Sequence, residues 1–231
     1  MSSRVSSRMF KSVSRTWNVF KGCRFECTYC NARKMAETRL KHLPRYVDGF
    51  NPRLIEEELG RSFHPGELIF VGYMGDISFA TKDEVFRILT HIEEACPKTS
   101  FLFCSKNPAI YSSWDIDYSD NLYLGTTIES NRDYKLSKAP PPVDRFWYMS
   151  QFCHAKRKFL SIEPIMDFDL DILLNWVRRI EPSIVEVGVD NYHNHLPEPP
   201  WEKVEALLSA LQKFVPKVVE KDELRRLERK C

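Results

Sequence analysis

Apolar residues along the chain fall into two alternating rhythms. Short β-rich runs occupy Thr16–Phe20, Leu68–Tyr73, Phe101–Cys104, Leu122–Ile128, Phe159–Ile162 and Ile184–Val189. Between them, apolar positions recur every three or four residues, which predicts helices over Ala32–Leu43, Pro52–Arg61, Lys82–Ala95, Pro108–Trp114, Val143–His154, Leu170–Ile180 and Trp201–Phe214. Thr81 before Lys-Asp-Glu and Asp169 before Leu-Asp-Ile mark helix starts, and Pro182 closes the Leu170 helix. Strands alternating with helices build parallel sheets through right-handed crossovers. Six strands are too few for a closed eight-stranded barrel. The expected fold is therefore α/β, a partial (β/α)6 barrel: a curved parallel sheet with outer helices. A basic N-terminal arm is expected at 1–15, the barrel at 16–216, and a charged C-terminal tail or helix at 217–231.

Each apolar run from the second onward ends at a polar group: Asp76, Lys106, Glu129, Glu163 and Asp190. In parallel α/β sheets the functional site lies beyond the carboxyl ends of the strands. Side chains alternate faces with period two. This places Ile184, Glu186, Gly188 and Asp190 on one face, and Val185, Val187 and Val189 on the other. The same count groups Ser161 with Glu163, Gly125 with Thr127 and Glu129, and Cys104 with Lys106. The polar face is expected to line the barrel interior.

Composition narrows the class. At 43% hydrophobic and 29% charged residues, the 231-residue chain has the profile of a soluble globular protein. A formal net charge of +2 makes no strong claim on nucleic acid for the molecule as a whole. No apolar run is long enough to span a bilayer, and Met1–Lys11 lacks the apolar core of a signal peptide, so a cytoplasmic location with no membrane partner is expected. Three of the seven cysteines share one short segment, which in a reducing compartment points to metal rather than disulfides.

That segment reads Gly22-Cys23-Arg24-Phe25-Glu26-Cys27-Thr28-Tyr29-Cys30, a C-x3-C-x2-C spacing with an aromatic residue before the last cysteine. Three thiolates in so short a loop can each reach one iron of a cubane, leaving the fourth iron open for chemistry. Structural zinc needs a fourth ligand and usually a second paired motif. Cys96, Cys104 and Cys153 are scattered, and the nearest histidine, His42, lies on the following helix. A non-catalytic iron–sulfur or zinc-binding interaction module is the alternative at this point.

Spacing, aromatic and position after the first strand together resemble the radical S-adenosylmethionine (SAM) superfamily. Trp17-Asn18, Thr127-Ile128-Glu129-Ser130 and Phe159-Leu160-Ser161-Ile162-Glu163-Pro164 carry a closer likeness to the phage Gp37/Gp68-like radical SAM family, and a distant one to spore photoproduct lyase. The chain departs from that family at Val19, Phe20 and Gly188-Val189-Asp190-Asn191.

The resemblance implies a [4Fe-4S] cluster on Cys23, Cys27 and Cys30, with SAM at the open iron. It implies a glycine-rich segment, Gly72-Tyr73-Met74-Gly75-Asp76, around the SAM amino group, with Asp76 facing the ammonium and Lys106 the carboxylate. Thr127, Glu129 and Asn131 are expected at the ribose, Tyr29 and Gly188 at the adenine, and Ser161 on the same cofactor side. Reductive cleavage of SAM yields a 5′-deoxyadenosyl radical that takes hydrogen from a substrate. Glu163 and Cys104 are the candidate catalytic groups, Cys104 as a hydrogen-atom donor. Glu186, Asp190, Asn191 and His193 are candidate substrate contacts. An external electron donor is implied, a flavodoxin, a ferredoxin or a chemical reductant. The substrate is nucleic acid, or a small molecule or peptide. The basic residues Arg4, Arg8, Lys11, Arg15, Lys21, Arg24, Arg33 and Lys34 speak for nucleic acid.

Overall fold

The computed structural model describes residues 9–114 and 120–230. Residues 1–8 of the expected arm, with Arg4 and Arg8, lie outside the described residues. Strand β1 (Arg15–Trp17) leads to a short β2 (Phe20–Lys21), which pairs antiparallel with β3 (Arg53–Leu54). Then come β4 (Leu68–Val71), β5 (Ser100–Cys104), β6 (Leu122–Thr127), β7 (Lys158–Ile162), β8 (Ile184–Val187) and β9 (Lys217–Glu220). The main sheet is all parallel and runs β1-β4-β5-β6-β7-β8-β9, a curled half-barrel of seven strands rather than six. The seventh, β9, corrects the reading of 217–231 as a charged tail or helix. Val218 and Val219 pair with Val185 and Glu186, and only then does the chain break into 3-10 turns.

Helices α1 (Asn31–Glu37), α2 (Lys82–Ala95), α3 (Pro142–Trp147), α4 (Leu170–Ile180) and α5 (Trp201–Leu211) form within the connections. Helix α2 starts where Thr81 and Glu84 make a reciprocal capping box, and it buries Val85, Ile88, Leu89 and Ile92. Helix α4 buries Leu173, Leu174, Val177 and Ile180. Each such side chain contributes about 1.5–3 kcal/mol relative to exposure. The expected helix at Pro52–Arg61 is instead β3 and a single 3-10 turn at Glu56–Glu58. The Ile55 N–H is committed to the Val19 carbonyl, which keeps this stretch extended beside β2. The 108–113 segment is likewise 3-10, and α3 runs on as a π turn at Tyr148–Phe152. Among the described residues no helix is long and apolar enough to cross a membrane.

Strand alternation splits the core in two. Ile69, Val71, Phe101, Phe103, Leu160, Ile162, Val185 and Val187 belong to the main core, together with the buried faces of α2, α4 and α5. Phe70, Leu102, Phe159 and Ile184 face the lumen, and their companions there are Phe10 and Val13. The Phe10 ring meets Phe70 and Phe159 edge-on at 4.7 and 4.8 Å. From Met9, whose carbonyl accepts from Lys221 beyond β9, the chain descends to Ser14, whose N–H bonds Leu68 at the start of β4. Met9–Ser14 is therefore a plug inside the half-barrel, not a solvated arm.

Glu186 anchors this plug. Its carboxylate accepts from Lys11 N (3.0 Å), Ser12 N (2.7 Å) and the Ser12 hydroxyl, and the residue is fully buried. This corrects its expected role as a substrate contact. A buried carboxylate needs donors, and the plug's main chain supplies them.

Candidate active site

The carboxyl ends of the strands surround one cavity of about 1280 Å³. That exceeds the roughly 300–1,000 Å³ usual for a single small ligand, so a cofactor and a substrate fit together. Cys23, Cys27 and Cys30 lie on one wall, all three free thiols and partly exposed.

Their loop is fixed to the sheet through glycine. Gly22 N donates to Met74 O (2.8 Å) and Asp76 N to Gly22 O (3.0 Å), making a parallel bridge between Gly22 and Gly75. Gly22 has φ +86°, and a Cβ there would sit 2.3 Å from the Asn51 carbonyl carbon. A Cβ at Gly75 would fall 2.7 Å from Gly22 N. Neither position admits a side chain without displacing backbone. A strap from the β6–α3 connection holds the other side: Thr28 N donates to Leu136 O (2.9 Å) and Lys138 N to Phe25 O (2.6 Å).

Two sulfurs already accept main-chain N–H groups, Cys23 from Phe25 (3.4 Å) and Cys30 from Arg33 (3.3 Å). Burial, aided by Asp76, pushes the Cys23 thiol up, and burial does the same to Cys30. Among the described residues no three His, Cys, Asp or Glu side chains converge on a single ion. The donor set fits an iron–sulfur cluster: three soft ligands on one short loop, with N–H groups aimed at sulfur. Thiolates on three separate irons also stand farther apart than ligands sharing one ion.

Behind the cysteines lies a buried charge network. Tyr29 donates to Glu129 Oε1 (2.6 Å), and Lys106 Nζ donates to Tyr29 Oη (2.9 Å) and pairs with Glu129 Oε1. Arg145, from α3, donates to Glu129 Oε2 (2.9 Å), to Thr127 O (2.9 Å) and to Pro140 O (2.7 Å). Burial alone would raise the Glu129 carboxyl. The Arg145 and Lys106 charges and two hydrogen bonds outweigh it and hold the group at about 2. Burial also opposes the Lys106 ammonium, but Glu129 and Tyr29 overcome it and shift Lys106 upward. Burial and Glu129 keep Tyr29 protonated.

Most of the sequence-derived residues line the cavity, and the rest lie apart from it. Tyr29, Gly72, Tyr73, Gly75, Asp76, Cys104, Lys106, Thr127, Glu163, Asp190 and Asn191 line the cavity with the cysteines. Asp76 stitches strand ends: Oδ1 accepts from Ser78 N, Ser78 Oγ and Ser105 Oγ, and Oδ2 from Lys106 N. Asp190 accepts from Tyr192 N, Asn194 N and Asn194 Nδ2, so its carboxylate shapes the loop beyond β8.

Five residues depart from their expected place. Glu129 lies behind the wall, both oxygens taken. Asn131 bonds Asp169 at the start of α4 through both its amide groups, away from the ribose position expected for it. His193 lines a separate pocket of about 330 Å³ with His195, Glu198 and Arg226. The space over Gly188 is filled by Glu163 and Lys221, not left open for adenine. Ser161 is fully buried, and its hydroxyl has no partner among the described residues.

Sequence reasoning missed Arg145 and Lys221. Arg145 shares the spacing of the buried Pro142, Phe146 and Met149, so a charge on an apolar helical face was its signal. Lys221 follows the overlooked strand β9 and lines the cavity.

Solved structures share this architecture. A spore photoproduct lyase variant with bound AdoMet and dinucleoside spore photoproduct is 10% identical, with a TM-score of 0.58 over 88% of this chain and 75% of that one. A second lyase variant is also 10% identical, at 0.58 over 91% and 78%. A radical SAM methyltransferase from Sphaerobacter thermophilus is 14% identical, at 0.53 over 90% and 66%. At these identities the likeness shows the fold, a partial barrel. No curated protein matches the chain. The model of one family, described as proteins of unknown function (DUF5131), matches residues 9–197, and the chain belongs to that family.

Proposed function

We propose that this chain is a radical SAM enzyme acting on nucleic acid. One observation carries the reading: three free cysteines in C-x3-C-x2-C spacing share a wall of the cavity at the carboxyl mouth of a parallel half-barrel. Cys23, Cys27 and Cys30 would hold a cluster that supplies one electron for cleavage of SAM to methionine and a 5′-deoxyadenosyl radical, the species that would take a hydrogen atom from the substrate.

The chain's own residues bind and position. Cys23, Cys27 and Cys30 hold three irons. The Gly72–Asp76 main chain would hold the SAM amino group, and Asp76 keeps capacity on Oδ2, which accepts only from Lys106 N among the described residues. Lys106 uses two N–H groups on Tyr29 and Glu129, which leaves the third for the SAM carboxylate. Thr127 is offered to the ribose. Cys104 opens onto the cavity with its thiol pushed up to about 12, chiefly by burial, so it stays in the S–H form that a hydrogen-atom donor requires. The Phe10 plug closes the lumen floor against water. The exposed Lys34 and Arg39 on the cavity rim support a phosphate-bearing substrate, as does the dinucleoside in the similar lyase structure. An external one-electron donor, a flavodoxin, a ferredoxin or a chemical reductant, is the partner this reading requires.

The test is anaerobic reconstitution with iron and sulfide, then SAM and a strong reductant. Formation of 5′-deoxyadenosine is expected from the wild type. Cys27→Ala is expected to lose bound iron and sulfide and all product. Zinc without iron in anaerobically purified protein, or intact SAM after reduction of a full cluster, would overturn the assignment.

A further inference from the structure

The wall opposite the cysteines carries a polar pair that the chemistry above does not use. Glu163 follows β7 and Lys221 follows β9. Their side chains, 9% and 11% exposed, meet at 2.6 Å between Oε2 and Nζ. Gly188 makes the space for them: a Cβ there would lie 2.8 Å from Glu163 Cδ and 2.9 Å from Lys221 Cδ.

An ammonium has three protons and a carboxylate oxygen two acceptor sites. Lys221 spends one N–H on Glu163 Oε2 and one on the Met9 carbonyl. Glu163 Oε1 receives only Asn191 Nδ2, at 3.5 Å, the outer limit of a hydrogen bond. Among the described residues the pair thus keeps one N–H and one carboxylate oxygen unspent, side by side on the cavity wall.

We infer that Glu163 and Lys221 form a subsite for the hydrogen-bonding edge of a nucleobase, the base N–H donating to Glu163 Oε1 and the neighbouring ring acceptor or carbonyl taking the free Lys221 N–H. Every nucleobase presents an adjacent donor and acceptor on its pairing edge. Tyr73 lines the same cavity. The pair lies on the β7–β9 half of the sheet, while the cysteine loop follows β1 at the other edge, so a base seated here leaves the cysteine side to the cofactor.

This inference rests on the nucleic-acid reading, and the experiment separates the two. The probe is a fluorescent single-stranded oligonucleotide of abasic spacers with one central thymidine. Its control carries N3-methylthymidine at that position, which removes the N–H and blocks the edge. Binding of each to the full-length protein is measured at low salt. The wild type is expected to prefer thymidine by about 10-fold, the scale of one bidentate base contact. Glu163→Gln is expected to bind the two probes within about 2-fold of each other, and Lys221→Met likewise. Thermal midpoints check the fold, and the near-isosteric Glu163→Gln decides if Lys221→Met fails to fold. Equal wild-type affinity for both probes overturns the subsite and leaves the nucleic-acid reading standing. No binding of either probe overturns both.

Discussion

The two walls of the cavity are built on opposite principles. On the cysteine side each buried carboxylate is held by several donors. Glu129 is gripped by Arg145, Lys106 and Tyr29, and the Asp76 carboxylate accepts from Ser78, Ser105 and Lys106. On the far side Glu163 and Lys221 hold each other but, among the described residues, keep a donor and an acceptor unspent, and the Ser161 hydroxyl is buried without a partner there. A densely bonded network is rigid and holds the geometry of its wall. An unsaturated one costs stability, and such costs concentrate where a ligand completes the bonding.

The hardest blow to this contrast is Arg145→Met. It removes the guanidinium from Glu129 Oε2 and from two carbonyls, leaving a buried carboxylate with one cation. Breaking a buried pair from one side costs about 3–5 kcal/mol. The expected outcome is a matching loss in urea unfolding free energy. A loss below about 1 kcal/mol would mean that the cysteine side is not held by this network. Phe10→Ala comes next, at about 3 kcal/mol, because an aromatic ring leaves a cavity among Phe70 and Phe159. It should also loosen the far wall, since Met9 accepts from Lys221. Hydrogen exchange of the β8 and β9 amides would report that, with the cysteine-loop amides unchanged.

The same division explains what was legible in the sequence. The three cysteines on the near wall were, because chain spacing alone brings three side chains together within one loop. Cys104, Lys106 and Thr127 followed from strand parity, which is a local rule. The far wall depends on the two chain ends. Phe10 and Val13 sit in a Ser/Arg-rich stretch whose polarity reads as a solvated arm, and β9 shows only two valines between charges. Nothing local says that these ends meet around Glu186 and Glu163. Their pairing is set by the closure of the sheet, which only the three-dimensional structure displays. Asn131 misled for a related reason: its strand-end position was legible, but its bonds to Asp169 were not.

The finest comparison uses two buried glutamates whose acid strengths move in opposite directions. Glu129 is held at about 2 against an ordinary 4.5. The folded state therefore binds fewer protons than the unfolded state between those values, so its contribution is complete above pH 4.5 and is lost as pH falls towards 2. At Glu163 burial raises the carboxyl, and Lys221 only partly offsets it. There the folded state binds more protons, and stability falls as pH rises above 4.5 through the raised value. Urea midpoints from pH 3 to 7 for wild type, Glu129→Gln and Glu163→Gln separate the two. Relative to wild type, the Glu129→Gln curve should lose part of its rise between pH 3 and 5. The Glu163→Gln curve should lose part of its decline above pH 4.5. If both substitutions change the slope in the same direction, the two walls are electrostatically alike, and the unspent donor and acceptor beside Gly188 no longer set the far side apart.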